Sequence, residues 1–332
     1  VKVNTENCSI FLAKKVKNVV IKESPDFIKS RLIASGIRPI NNVVDISNYV
    51  MLETGQPLHF YDADCLKDCL EVRMANEGEK LTTLDGIERD LKTEDIVISD
   101  GEKAIGLAGV MGGLETEITD KTKNIIIESA IFDSVKVRRT SNAILRSEAS
   151  NRFEKGLDPN RTFMAMERAC HLLEKYASGE VVGDIAKYDT TEKEDKIINI
   201  TAENINNILG MTISEKEILD VFRRLGFKAI VKDGVIVVSV PRRRLDISIK
   251  EDLIEEVGRI YGVNNIKGKL PNILPKMGSY DKCTRQIRNK MVDLGLNETL
   301  SYVLVPEADA KMFTKDDYET VKLLAPLSED KH

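Results

Sequence analysis

Residues 188–196 read YDTTEKEDK, a polar and charged run with no aliphatic residue to anchor it in a core. Such a stretch reads as a linker, and it rules out one continuous core running through the chain. A second break, KGKLPNILPKMGSYDK at 267–282, is rich in Pro, Gly and Lys. At 332 residues the chain is also long for a single core, so two or three domains are expected. The division predicted is 1–187, 196–266 and 280–332.

Local signals fill in the parts. SPDFIKSRLIASG predicts a short helix with Ser24 as N-cap, Pro25 in its first position and Gly36 as its stop. In TTLDGIERD, Asp85-Gly86 between extended segments predicts a two-residue hairpin. DIVISD and NIIIESAIF read as short buried strands. DPNRTFMAMERACHLLEKYASG reads as a helix with Phe163, Met166, Leu173 and Tyr176 on one side. The region to about 187 is therefore mixed α and β, without regular βαβ alternation.

Beyond the linker, Ser214 and Glu217 form a capping box, Ile213 and Ile218 a hydrophobic staple, and Gly226 a stop. A hairpin follows with Asp233-Gly234 at its turn, then a helix carrying Leu253, Val257, Ile260 and Tyr261 inward. This is a compact, winged-helix-like α+β pattern, which by itself says nothing about DNA. The third segment offers a helix, CTRQIRNKMVDLG, and a strand-like TLSYVLV. It stops before it can bury a core of its own, so the chain reads as a piece of something larger.

Charge and cysteine content narrow the chemistry. The net charge of −5 gives no general reason to expect nucleic acid. Five scattered cysteines do not form a disulfide framework and fit a reducing cytosol. His59, Cys65 and Cys69 lack the second ligand pair of a zinc site. No apolar run reaches the length of a membrane span.

Four stretches could carry function. AIGLAGVMGG has glycines at 106, 109, 112 and 113 but no Gly-Lys-Ser/Thr. It is either a tight turn or a bare backbone lying against a ligand. Glu128 ends an apolar run, where a carboxylate either reaches water or is buried as an acceptor. KVRRTSNAILRSEASNRFEKG is locally basic, with Phe153 its one ring for base stacking. Finally, Asp252, Glu255 and Glu256 share a helical face with Asp246 just upstream. Repulsion between them calls for compensation, either from Arg259 or from a hard divalent cation. His59, in ETGQPLHFYD, reads from spacing alone as a turn residue, and His171 as a flank of a packed helix.

Taken in order, SGIRPINNVVDISNYVMLETGQPLHFYD, GLAGVMGG, IIIESAIFDSVKVRRTSNAILRSEASNRFEKGLDP and PRRRLDISIKEDLIEEVGRIYGVNNI resemble the bacterial phenylalanyl-tRNA synthetase β-subunit family. The resemblance implies an α+β multidomain chain. It would hold a mixed α/β editing domain, a small winged-helix-like domain and the start of a class II synthetase-like domain. Relative to a full subunit, an N-terminal tRNA-binding region, most of the catalytic-like domain and a C-terminal anticodon-binding domain would be absent.

It further implies a cytoplasmic ligase of two α and two β chains that acts on tRNA(Phe). The α subunit would perform the ATP-dependent charging, and the β subunit would hydrolyse tyrosyl-tRNA(Phe) made in error. By motif, Glu128 would accept the tyrosine hydroxyl, Gly109 and Gly112 would leave room for the ring, and Ala149 would line the pocket. Arg38, Ser47, Asn48 and His59 would handle the terminal adenosine, the ester and a water. Asp246, Asp252, Glu255 and Glu256 would bind Mg2+ shared with the α subunit. Ser47 stands where threonine is frequent in the family, and Asn151 where many relatives have histidine. The rival reading is a non-catalytic scaffold that holds the α subunit and positions tRNA; a free-standing proofreading protein is a third.

Overall fold

The computed structural model describes residues 1–67, 69–268, 270, 272–276, 278, 281–312, 319–326 and 328. The chain divides into two compact units, Val1–Lys267 and Gly268–His332, which are taken separately here.

In chain order the first unit opens with β1 (Lys2–Val3), β2 (Cys8–Lys17), α1 (Asp26–Ala34), α2 (Asn42–Thr54), β3 (Leu58–Asp62), β4 (Glu71–Met74), β5 (Lys80–Thr82) and β6 (Glu88–Asp90). It continues with β7 (Ile96–Ser99), β8 (Ala104–Leu107), β9 (Met111–Gly112), β10 (Ile125–Phe132), α3 (Ser134–Ala143), α4 (Glu148–Phe153), α5 (Pro159–Ala177) and β11 (Glu180–Asp189). Then come β12 (Lys196–Ile200), α6 (Ala202–Leu209), α7 (Glu215–Arg224), β13 (Lys228–Lys232), β14 (Val235–Val240) and α8 (Lys250–Tyr261).

The centre is an antiparallel sheet in the order β11-β2-β10-β3. Alternation along its strands divides the side chains between two cores. Ile125 and Ile127 of β10, with Ile10, Leu12 and Val16 of β2, meet Met166 and Leu173 of α5. Ala130 and Phe132, with Phe11 and Ala13, face the second core, which is shared with the sheet β1-β4-β7-β8-β9. Because both faces are covered, β10 is an almost continuous apolar run. Each fully buried isoleucine there contributes roughly 1.5–3 kcal/mol.

The entry to β3 is fixed locally. Asn41 caps α2, its side chain accepting from the amides of Val43 and Val44 at 3.1 and 2.9 Å. Gly55 ends that helix in the left-handed region, at φ +79°, a conformation that glycine adopts without steric cost. The buried Gln56 then donates through Nε2 to Ala130 O at 2.9 Å and to Pro57 O at 3.1 Å, which pins the chain beside β10.

Some expectations give way. Ser24 does not cap α1: Pro25 holds that place, and the Ser24 hydroxyl donates to Asp45 Oδ2 at 2.5 Å. The β5–β6 turn has three residues, Leu84 to Gly86, closed by Thr83 N to Ile87 O at 3.1 Å, with Gly86 at φ +77°. The anchor-free run at 188–196 begins inside β11 and ends inside β12. β11 is an edge strand, largely exposed, so it carries the polar residues that hid it. The basic run lies largely in α3 and α4. Arg152 pairs with Glu148 at 2.7 Å and Arg146 with Glu154 at 2.8 Å, while Phe153 is buried and stacks on no exposed base.

Further along, Ile213 and Ile218 are buried, Ser214 and Glu217 form their capping box, and Asp233-Gly234 turns β13 into β14. β12 joins that hairpin in a sheet ordered β12-β14-β13. In the second unit, α9 (Lys282–Asp293) and α10 (Glu307–Lys311) form. TLSYVLV does not become a strand; Leu300 and Val303 lie exposed, and no neighbouring strand pairs with the segment among the described residues. Among the described residues no helix is long and apolar enough to cross a membrane.

Candidate functional site

A pocket of about 430 Å³, counting its open mouth, lies between the central sheet and the β8–β9 hairpin. Its lining brings together five of the residues singled out in the sequence: His59, Gly109, Gly112, Glu128 and Ala149. Register explains the first pairing. His59 of β3 is directly opposite Glu128 of β10, and residues so placed share one face. That face is turned to the second core, so one carboxylate and one imidazole reach the pocket side by side.

Tyr61 is the pocket residue that sequence reading missed. It lies two positions past His59, on the same face, and is 1% exposed. Its hydroxyl donates to Glu128 Oε2, and its ring meets the His59 ring edge-on, with centroids 4.4 Å apart. The alternation of LHFYD could have placed it beside His59, but nothing local tied it to Glu128, 67 positions away.

Glycines shape the wall. A Cβ on Gly112 would overlap His59 Cε1 and lie 2.6 Å from Nε2, so the imidazole occupies space that any other residue would take. Gly109 sits at φ +70° with Phe153 and Val137 packed over it at 3.0 and 3.2 Å from a built Cβ. AIGLAGVMGG is thus a turn between strands, and its glycines bring bare backbone against the pocket groups.

Burial dominates the electrostatics. It raises the Glu128 carboxyl from its usual 4.5 to about 7, against the opposing pull of the Tyr61 hydrogen bond. Burial lowers His59 from 6.5 to about 4, so the imidazole is neutral at physiological pH. Between about 4.5 and 7 the folded chain holds the Glu128 proton that the unfolded chain has lost, so stability falls as pH rises there. His59 acts oppositely: between about 4 and 6.5 the unfolded chain holds the extra proton, and stability climbs with pH. The two nearly cancel. In denaturant titrations, His59→Gln should therefore unmask a fall on the order of 3 kcal/mol from pH 4.5 to 7. A variant profile as flat as the wild type would refute this opposition.

Three further candidates lie elsewhere. Ser47 and Asn48 are half-buried on α2, where the Ser47 hydroxyl donates to Val44 O at 2.8 Å, and Arg38 is exposed before that helix. None of the three lines the pocket. Asn151 is half-buried on α4, also outside the lining.

The acidic helix is a separate feature. Arg244 binds Asp246 at 2.6 Å and Glu256 at 3.0 Å, and Arg259 binds Glu256 at 2.7 Å. Asp252 accepts the amides of Ser248 and Ile249 at the start of α8 at 2.7 and 3.0 Å, and Glu255 is exposed. Compensation thus comes from two arginines, one of them Arg259 as expected. These hydrogen bonds hold Asp246 and Asp252 below the usual carboxylate range; at Glu256 the arginines lower the carboxyl against its burial. Among the described residues no three His, Cys, Asp or Glu side chains converge as a metal would need. As arranged in this chain, the four carboxylates do not fit Mg2+.

Comparison with known proteins gives this geometry a context. Residues 7–178 match the family model of the B3/4 domain, and 198–263 that of the tRNA synthetase B5 domain. The chain is therefore built from aminoacyl-tRNA synthetase modules. Residues 266–332 match the phenylalanyl tRNA synthetase beta chain CLM domain. The phenylalanine–tRNA ligase beta subunit of Staphylococcus aureus (strain bovine RF122 / ET3-1) is 48% identical over 98% of this chain. That of strain Mu50 is 47% identical over the same share. The chain spans 42% of the length of each of these relatives. A crystal structure of an N-terminal fragment of the phenylalanyl-tRNA synthetase beta-subunit from Pyrococcus horikoshii aligns at 15% identity and a TM-score of 0.36, over 76% of this chain and 70% of that one. That likeness is too slight to carry an argument. On its family models and its relatives, the chain belongs to the phenylalanyl-tRNA synthetase β-subunit family.

Proposed function

We propose that the chain works within a phenylalanine–tRNA ligase as its β subunit, and that the pocket over β10 hydrolyses tyrosyl-tRNA(Phe). The observation that carries this reading is a buried carboxylate, Glu128, facing a pocket otherwise walled by glycines, apolar side chains, a neutral imidazole and the Tyr61 phenol that donates to it. A synthetase pocket shaped for phenylalanine rejects an added hydroxyl poorly. A second site that hydrogen-bonds that hydroxyl selects sharply, because its acceptor is left unpaired by phenylalanine.

In this reading a water attacks the carbonyl carbon of the aminoacyl ester. The bond to the ribose oxygen breaks, and that oxygen leaves with a proton from the water. His59, uncharged and half-buried at the pocket wall, orients the water or the ester by hydrogen bonding. Arg38, Ser47 and Asn48, on and before α2, would contact the terminal adenosine from outside the pocket. The ATP-dependent charging of tRNA(Phe) falls to the α subunit, and no residue of this chain is assigned to it. The reading divides the chain at 1–187, 196–266 and 280–332, works in the cytoplasm in a complex of two α and two β chains, and assigns the acidic helix to the α-facing side. Mg2+ enters no step here: Arg244 and Arg259 hold Asp246 and Glu256, and Asp252 accepts the amides of Ser248 and Ile249.

The test is deacylation of tyrosyl-tRNA(Phe) and phenylalanyl-tRNA(Phe) by the full chain and by His59→Ala. The wild type should hydrolyse the tyrosyl ester faster, and His59→Ala should slow hydrolysis while the fold survives, as read by circular dichroism. Hydrolysis of neither ester, beside an active full-length control, would favour the scaffold reading.

A further inference from the structure

We propose that Tyr61 is a specificity-setting positioning residue: its hydroxyl fixes one oxygen of Glu128 and leaves the other to receive an incoming phenol. The inference rests on the editing reading of the pocket. A carboxylate has lone pairs on both oxygens. Tyr61 takes Oε2, the one protein hydrogen bond to this carboxylate among the described residues, and Glu128 lines the pocket beside it. Tyr61 is 1% exposed and Glu128 6%, so the pairing does not exchange freely with water. The Tyr61 ring is held in turn by the edge of His59 at 4.4 Å. The carboxylate thus has its orientation set by a neighbour on the oxygen turned from the substrate.

The charge state follows from the same contact. The titratable groups facing Glu128 are His59 and Tyr61 from β3 and Cys8 from β2, whose thiol is pushed up by burial and by Glu128 itself. The other lining residues from β8, β9 and α4 are Gly106, Leu107, Met111, Gly112, Ala149 and Phe153, which add no charge. No cation stands among these groups, so the Tyr61 hydroxyl is the contact that favours the ionised carboxylate. An ionised Glu128 is acceptor-only and reads a phenol; a protonated one offers its own hydrogen and reads it far less well.

Tyr61→Phe removes the hydroxyl and keeps the ring. Two measurements on the full chain test the inference: the tyrosyl-over-phenylalanyl deacylation ratio across pH, and the Glu128 carboxyl midpoint by NMR with 13C-labelled glutamate. The variant should lose about tenfold of the ratio or more, as expected for a hydrogen bond to a charged group. Its carboxyl midpoint should move above the wild-type value of about 7. An unmoved midpoint, or an unmoved ratio in a wild type that does discriminate, overturns the role of Tyr61 alone. A wild type without any tyrosyl preference instead brings down the editing reading, and with it the specificity role, while the midpoint still reports the positioning.

Discussion

Glu128→Ala is expected to leave ester hydrolysis in place and to erase most of its preference for tyrosine. The carboxylate is the only charged acceptor on the pocket lining, and it sits on the central strand, hydrogen-bonded on both sides. On the proposed reading, removing it takes away the acceptor for the substrate hydroxyl, while His59 stays in place across the strand pair. A charge-assisted hydrogen bond is worth roughly 1.5–3 kcal/mol, so the tyrosyl-over-phenylalanyl ratio should fall by about one to two orders of magnitude. Fold stability should change far less, because the lost burial of a carboxyl offsets the orphaned Tyr61 hydroxyl. Deacylation assays on both esters decide it. Retained selectivity would mean that the hydroxyl is read elsewhere.

Alanine at Gly112 and at Gly113 should give opposite kinds of damage, one residue apart. At Gly113 the new Cβ would collide with the carbonyl oxygen of Ile105 and lie 3.0 Å from its carbon. That atom belongs to β8, and Gly113 N donates to it at 2.8 Å, so relief requires a strand to shift. Overpacking against backbone costs about 3 kcal/mol, toward the upper end of the usual range, which for a unit of this size lowers Tm by roughly 6–12 °C. At Gly112 the collision is with the His59 ring, a side chain at a pocket mouth that can rotate away. Gly112→Ala should lose about 1 kcal/mol and most of the deacylation. Thermal melts and deacylation rates on the two variants separate these outcomes; equal melting temperatures would refute the contrast.

Much of this architecture was legible in the sequence because its signals are local. The Ser214 capping box, the Asp233-Gly234 turn and the Asp158-Pro159 helix start each depend on residues within a few positions. What was lost depends on distant partners. Ser24 looked like a cap, but its hydroxyl is taken by Asp45, 21 positions on. β11 and β12 were hidden because exposed edge positions tolerate the polar residues of a linker. TLSYVLV had strand composition without a neighbour to pair with among the described residues. In the site, His59 and Glu128 could be named from motif, but their register opposition could not, and Tyr61, though inside the same stretch as His59, was given no role. For Arg244, its proximity in sequence to Asp246 was plain, yet its reach to Glu256 required the fold.

The Gln56 bridge to Ala130 has a wider consequence. It stitches the turn before His59 to the strand that carries Glu128, so the backbones of the two pocket groups are held together from both ends of their pairing. Their backbones cannot shift apart without breaking the β3–β10 pairing. A hydrogen bond weakens steeply with small errors of distance or angle, and here those errors are limited by the scaffold rather than by a closing lid. Discrimination at such a site is a property of the folded ground state, bought once during folding and not renewed with each turnover.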